Sequence, residues 1–416
     1  MMMLQKALPI LLIAVAPVVA QPPQAVAFRP ATDPVFQVDY PAPTADKPQS
    51  KLWFMDGSWW ALLPRASGPS LWQRTDSGWA EHAEVARALG GSPGRADVWL
   101  EDAGVTAAAV ADATKTNRAI TVFRLVRERA GSGIRWDARI LAELSPPSPE
   151  DAIETVTLAR DTSGAWWAAA VAGTQVCVWT AAADAALWSA PVVLARGLDP
   201  DDICVVSPLS ENEIAVIWSD QVRAGFLMRA HVDGEPASAW RDEEVIQMSP
   251  DAADDHLNTA RSPDGTLWLA SKNEIDKAGR PQFTLHMRNR HGAWSNWPYG
   301  IRTETTRPSR PIVVASADGS AVLTGYGDND RAVDFPHDAK VMFSRVNPAH
   351  PEMVEAPRAV IAPDRAHQSF IQNVTGPRAP FPADAPWIVL ASDQEGRVYE
   401  ADLREAFPEA LPGGAP

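Results

Sequence analysis

The sequence predicts an all-β protein, a seven-bladed β-propeller, with six or eight blades as the neighbouring solutions. Three observations lead there. Units of similar plan restart every 46 to 63 residues, near Lys51, Asp97, Glu154, Asp202, His256, Arg310 and Asn373. A period of that length marks an array or a propeller, because one unit can bury its apolar face only against its neighbours. Within the units, short β-rich runs are joined by turns such as Thr162-Ser-Gly164 and Pro263-Asp-Gly265, which are hairpin signals. Finally, no 12-residue segment carries a helical apolar period. A β-sandwich array is the competing fold, but its strands would not restart with this regularity.

The chain reads in order on this plan. Residues 1–20 are expected to be a signal peptide: Lys6 gives a positive start, Leu8 to Val19 an apolar run, and Val18-Val-Ala20 a small-residue cleavage site. No Cys follows that run for a lipid anchor, so the mature chain is expected to be secreted or periplasmic. Residues 21–47 form an N-terminal segment in which Val35-Phe-Gln-Val-Asp39 offers a ring-closing strand. The propeller is expected over 48–405 and a flexible tail over 406–416. Blade three reads as Glu154-Thr-Val-Thr-Leu158, then Ala165 to Val171, Gln175 to Thr180 and Leu187 to Leu194. Blade five repeats it with Asp254 to Ala260, Thr266 to Ala270, Phe283 to Arg288 and a strand after Trp294. The last blade has at most three strands of its own, from Gln368 to Asp402. An outer strand from the N-terminus would close the ring and remove an exposed edge. Ala142 to Asp151 and Asp328 to Ala339 read as longer loops.

Composition narrows the function. A chain of 416 residues, 46% hydrophobic with 17 Trp, is not a disordered one. The formal net charge of −15 opposes a nucleic-acid partner or attachment to anionic lipid. Inside the chain no apolar run approaches the ~20 residues of a membrane span. No Gly-rich loop follows a strand and opens a helix, so no nucleotide cofactor is expected. Cys177 and Cys204 lie in separate strand-like runs and make no CxxC pair; they read as buried small side chains, with a disulfide neither required nor excluded. The eight His residues show no ligand spacing, and no metal is expected. A closed ring needs no partner, so a monomer is expected.

The turns Asp161-Thr-Ser-Gly-Ala-Trp166, Ser262-Pro-Asp-Gly-Thr-Leu-Trp268 and Ser316-Ala-Asp-Gly-Ser320 resemble degenerate Asp-box turns of the sialidase-like, or BNR, propellers. Longer strings, among them Ser50 to Trp60, Ile217-Trp-Ser-Asp-Gln221, Ala253-Asp-Asp-His-Leu-Asn258 and Ile388 to Asp393, resemble a family of secreted bacterial propellers over nearly the whole mature chain. Its distant relatives include sialidases, ulvan lyases and rhamnose-releasing enzymes, so the resemblance implies glycan chemistry. The chain departs from sialidases in its tyrosines: only Tyr40, Tyr299, Tyr326 and Tyr399 exist, none at an inner-strand position to serve as nucleophile.

In a propeller the first strand of each blade lines the channel, so seven distant positions converge at one face. Here they are Lys51, Asp97, Glu154, Asp202, Asp255 with His256, Arg310 and Asn373; Lys272 and Gln221 end second strands and could reach the same rim. Carboxylates, His, Arg and amide suit a polyhydroxylated ligand, whose hydroxyls both donate and accept. His256 follows Asp254 and Asp255, either of which could hold its ring, and is the expected general acid or base. With Arg310 or Lys272 as the cation it would serve a uronate lyase; Glu154 with Asp202 would be the carboxylate pair of a hydrolase. Asp255, Asn373, Gln221, Asp97 and Lys51 are the expected binding residues. The same residues also admit structural roles: Asp201 and Asp254 as turn caps, Arg310 in an inter-blade ion pair, His256 as a satisfied imidazole. The reading is a carbohydrate-cleaving propeller, with a non-catalytic glycan- or protein-binding propeller of the cell envelope as the alternative.

Overall fold

Seven antiparallel sheets follow one another along the chain. The computed structural model describes residues 28–410, apart from 46, 112–115, 131–132, 211, 330–338, 368–369 and 372. The inner strands are Leu52–Met55, Arg95–Glu101, Thr157–Arg160, Cys204–Pro208, Leu257–Arg261, Ser309–Ala315 and Asn373–Thr375. Each starts within three residues of the position expected for it. The sixth blade carries two short outer strands, His350–Val354 and Arg358–Ile361, both pairing with Lys340–Asn347.

Packing explains why the strands read as they do. Each sheet is covered by a neighbouring blade on both faces, so its middle strands are continuously apolar rather than alternating. Trp166–Ala172, for example, is buried throughout. Tryptophans fill the wedges between blades: Trp53, Trp60 and Trp136 between blades one and two, Trp166 and Trp179 between two and three.

Side chains also fix the turns. Asp161 accepts from the Ala165 amide at 2.8 Å and from the Trp167 indole at 2.8 Å. Ser262 takes the second role in blade five, accepting from the Trp268 indole at 2.8 Å while Asp264 accepts from the Thr266 amide at 3.0 Å. One short polar residue thus ties each of these two turns to the Trp at the second position of the next strand.

The ring closes where the sequence suggested. Phe36–Gln37 pairs with the third strand of blade seven, Phe36 opposite Val398, and the Phe36 ring stacks on Trp72 of blade one at 4.4 Å. Three details differ from expectation. A helix of six residues, Ala83–Ala88, follows blade one, too short to leave a periodic signal. The expected tail from 406 is packed as far as Ala410, with Phe407 and Ala410 buried against blades six and seven. The strand ending at Leu144 also takes in the start of the loop expected from Ala142. The signal segment 1–20 and most of the loop expected at 328–339 lie outside the described residues. No helix among those described is long and apolar enough to cross a membrane. Cys177 and Cys204 are buried and free, their thiols pushed up by burial, Cys177 to about 12.

Candidate functional site

The charged cluster forms where the inner strands begin, and blade five builds its centre. Leu257 pairs with Ser271, so the hairpin continues one step further with His256 opposite Lys272: the Lys272 amide donates to the His256 carbonyl at 3.0 Å. Side chains two apart on a strand share a face. Asp254, His256 and Lys272 therefore project together, and the Asp254 carboxylate bonds both the His256 Nδ1 and the Lys272 ammonium. Asp255 also approaches Nδ1, at 2.5 Å.

Across the mouth, Lys47 ion-pairs with Asp255 and lies 3.4 Å from a Glu154 oxygen. Lys47 is there because the N-terminal segment is stitched over the channel. The Ala42 amide donates to the Asp393 carbonyl, Thr44 bonds the Asn373 carbonyl at 2.6 Å, and Gln49 reaches the Val156 carbonyl at 2.9 Å. Glu154, Asp201 and Asp255 place carboxylate oxygens within 4.8 Å of one another. That spacing could hold a cation, and the Lys47 ammonium already supplies positive charge there. Arg310 completes the set, in the field of Glu154 and Asp254. Its backbone has φ of 56° beside a bulge between Ser309 and Ile312, a conformation that costs about 1 kcal/mol or more for a non-glycine residue.

Burial and charge set the protonation states. Burial pushes His256 down to about 3, helped by Lys47 and Arg310 and opposed by its bond to Asp254. Burial would raise Asp254, but His256 and Lys272 hold it well below the usual carboxylate range. Burial lowers Lys47 and Arg310 as well. The imidazole is therefore neutral at physiological pH, with Nδ1–H donating to the carboxylates. Its Nε2 carries a lone pair and, although buried, has no hydrogen-bond partner among the described residues. Four carboxylates (Glu154, Asp201, Asp254, Asp255) face three cations (Lys47, Lys272, Arg310), so the cluster is close to neutral in a chain of net charge −15.

The structure brings together His256, Lys272, Glu154, Asp255 and Arg310 of the residues singled out in the sequence. It sends others elsewhere. Asp202 turns back into blade four, accepting from the Ser219 hydroxyl at 2.7 Å, the Gln221 amide and side chain at 3.2 Å and the Asp199 amide at 2.9 Å. Burial raises it to about 6. Its partner Gln221 is used in that cap, and Asp201 rather than Asp202 faces Glu154. Lys51 is fully buried, donating to Gln49 Oε1 and the Ala96 carbonyl, with its ammonium pushed down to about 7 by burial. The backbone of Asn373 is covered by Thr44.

Asp97 sits deeper still. It is 0% exposed and accepts from the Ser50 and Leu158 amides and from Arg378 at 2.6 and 2.7 Å. Arg378 follows the short inner strand of blade seven and also donates to the Val206 carbonyl at 3.1 Å. This pair ties blades one, two, three, four and seven together across the channel. It separates the charged mouth from the far end. Lys47, Asp201 and Arg378 were not among the expected site residues. Lys47 could have been suspected as one of only seven lysines.

No family model and no curated protein matches this sequence. Solved structures do match in shape. An ulvan lyase bound to GlcA(1-4)Rha3S superposes with a TM-score of 0.52 at 11% identity, over 91% of this chain and 100% of the other. An α-L-arabinanase from Penicillium chrysogenum, complexed with arabinobiose, gives 0.46 at 14% identity, over 71% and 92%. The lectin SapL1, in complex with α-methyl fucoside, gives 0.45 at 10%, over 79% and 98%. At 11% identity the match to the ulvan lyase is a likeness of fold alone, and function has to be argued from the site.

Proposed function

We propose that this protein binds an acidic polysaccharide at the channel mouth and cleaves it by β-elimination, with His256 as the base. One observation carries the reading: His256 has Nδ1 tied to Asp254 and Asp255 while its buried Nε2 has no partner among the described residues. A carboxylate at Nδ1 fixes the tautomer that leaves Nε2 as acceptor. Nε2 would take the proton from the carbon next to the sugar carboxylate. A double bond forms to the neighbouring carbon as its bond to the leaving sugar oxygen breaks. The leaving oxygen takes a proton from Lys47, whose lowered pKa makes it the better acid. Arg310 would pair with the substrate carboxylate, and its developing negative charge is what a positioned cation stabilises. Lys272, held by Asp254, keeps that carboxylate on the imidazole.

Hydrolysis is less well served. A hydrolase needs a protonated carboxylic acid beside a second carboxylate. Asp254 is held ionised, and the one carboxyl raised to about 6, Asp202, is spent on capping blade four.

The test is a panel of uronate-containing and neutral polysaccharides, read by ultraviolet absorbance of the unsaturated product together with reducing ends. Both signals should rise on a uronate substrate and fall by about 10²–10⁴-fold in His256→Gln. Reducing ends without the chromophore would assign hydrolysis; binding with neither signal would assign a non-catalytic glycan-binding propeller.

A further inference from the structure

The far end of the channel holds a cavity of about 350 Å³, on the other side of the Asp97–Arg378 pair. It is formed where the inner strands of blades two, four and five end, together with the start of blade one and the 378–380 segment. Its walls are mostly apolar, with Trp53 and Trp99 as the aromatic members and Arg261 as a cation.

Arg261 is anomalous there. It is partly buried, burial lowers its pKa, and no carboxylate acts on it. Its Nε is buried without a hydrogen-bond partner, and it makes no ion pair among the described residues. A partly desolvated guanidinium without a counter-ion costs free energy in the empty protein and is matched by an anion that arrives with a ligand. An apolar, Trp-lined cavity of this size accepts a single ring system.

We propose that this cavity binds a small aromatic carboxylate, its ring against Trp99 and its carboxylate on Arg261. The site is independent of the His256 cluster, because the buried Asp97–Arg378 pair lies between them. No bond is made or broken; this is a binding site.

The experiment is calorimetric titration of the full chain with cinnamate, with cinnamamide as the uncharged ring and octanoate as the ringless anion. The expected result is saturable binding of cinnamate, at least about tenfold weaker for either comparison ligand and for Arg261→Gln, and unchanged in His256→Gln. Thermal melting of the same variants distinguishes a binding role from a structural one. Arg261→Gln should melt no lower than the parent, since it removes an unpaired charge, and cinnamate should raise the melting temperature of the parent alone. Equal affinity for the acid and the amide, cinnamate binding unaltered by Arg261→Gln, or no saturable binding would each overturn the proposal.

Discussion

Replacing Arg378 with Ala tests how the ring is held together. Asp97 would keep its two backbone donors, Ser50 at 2.8 Å and Leu158 at 2.7 Å, but lose the guanidinium paired with it while remaining 0% exposed. Removing one partner of a buried ion pair costs about 3–5 kcal/mol, because the other charge stays desolvated. The Val206 carbonyl also loses its donor, adding about 1 kcal/mol. The assay is urea unfolding of parent, Arg378→Ala, Asp97→Asn and the double variant. The cycle should show that Arg378→Ala costs far less when Asp97 is already Asn. The pH dependence has a definite sign. Burial already raises the Asp97 pKa, with Arg378 pulling it back, so losing Arg378 raises it further. An acid whose folded pKa lies above its unfolded value favours the fold at low pH and loses that contribution as pH rises through the folded pKa. The deficit of Arg378→Ala should therefore be largest at neutral pH and shrink on acidification. A loss below about 1 kcal/mol, or one that does not shrink, would refute the reasoning.

Four further outcomes follow from the same contacts. Asp161→Ala should cost about 1–3 kcal/mol in denaturant unfolding, since it strands the buried Trp167 indole donor and uncaps the turn. Lys47→Met should raise the His256 pKa above about 3, because Lys47 is one of the charges depressing it; a ring titration by NMR that does not move would contradict this. His256 and His286 titrate near 3 and 4 in the fold against an ordinary 6.5, so the unfolded chain takes up protons first as pH falls. Their stabilisation is complete above 6.5 and lost downward through that window, and His286→Asn should lower the slope by about 1.4 kcal/mol per pH unit between 6.5 and 4. We also propose a monomer: the Phe36–Gln37 strand closes the ring, and a light-scattering mass of twice the chain would contradict it.

The ring of blades was legible because its determinants are local. Hairpin turns, apolar second strands and the polar residue opening each unit recur at short range, and Val35 to Asp39 was recognisable as a strand with no blade of its own. The blade-five hairpin was legible for the same reason: one ladder fixes Asp254, His256 and Lys272 on a common face. Contacts made across the channel left no such trace. Asp97 and Arg378 meet over 281 residues of chain, and nothing in the sequence marks them as partners. Lys47 lies in a Pro-rich stretch without periodicity, so its position over the mouth depends on bonds to Asn373, Ser392 and Asp393. Between Asp201 and Asp202 the sequence cannot choose. The choice is made by Ser219 and Gln221, which draw Asp202 inward and leave Asp201 facing Glu154.

The His256 cluster is the proposed place where an acidic sugar is held and deprotonated. A crystal structure of His256→Gln with a uronate oligosaccharide bound tests that most directly. The sugar carboxylate should lie against Arg310, with the adjacent carbon facing the residue 256 side chain and the leaving oxygen near Lys47. An oligosaccharide found between blades or at the far end of the channel, with this cluster untouched, would contradict it.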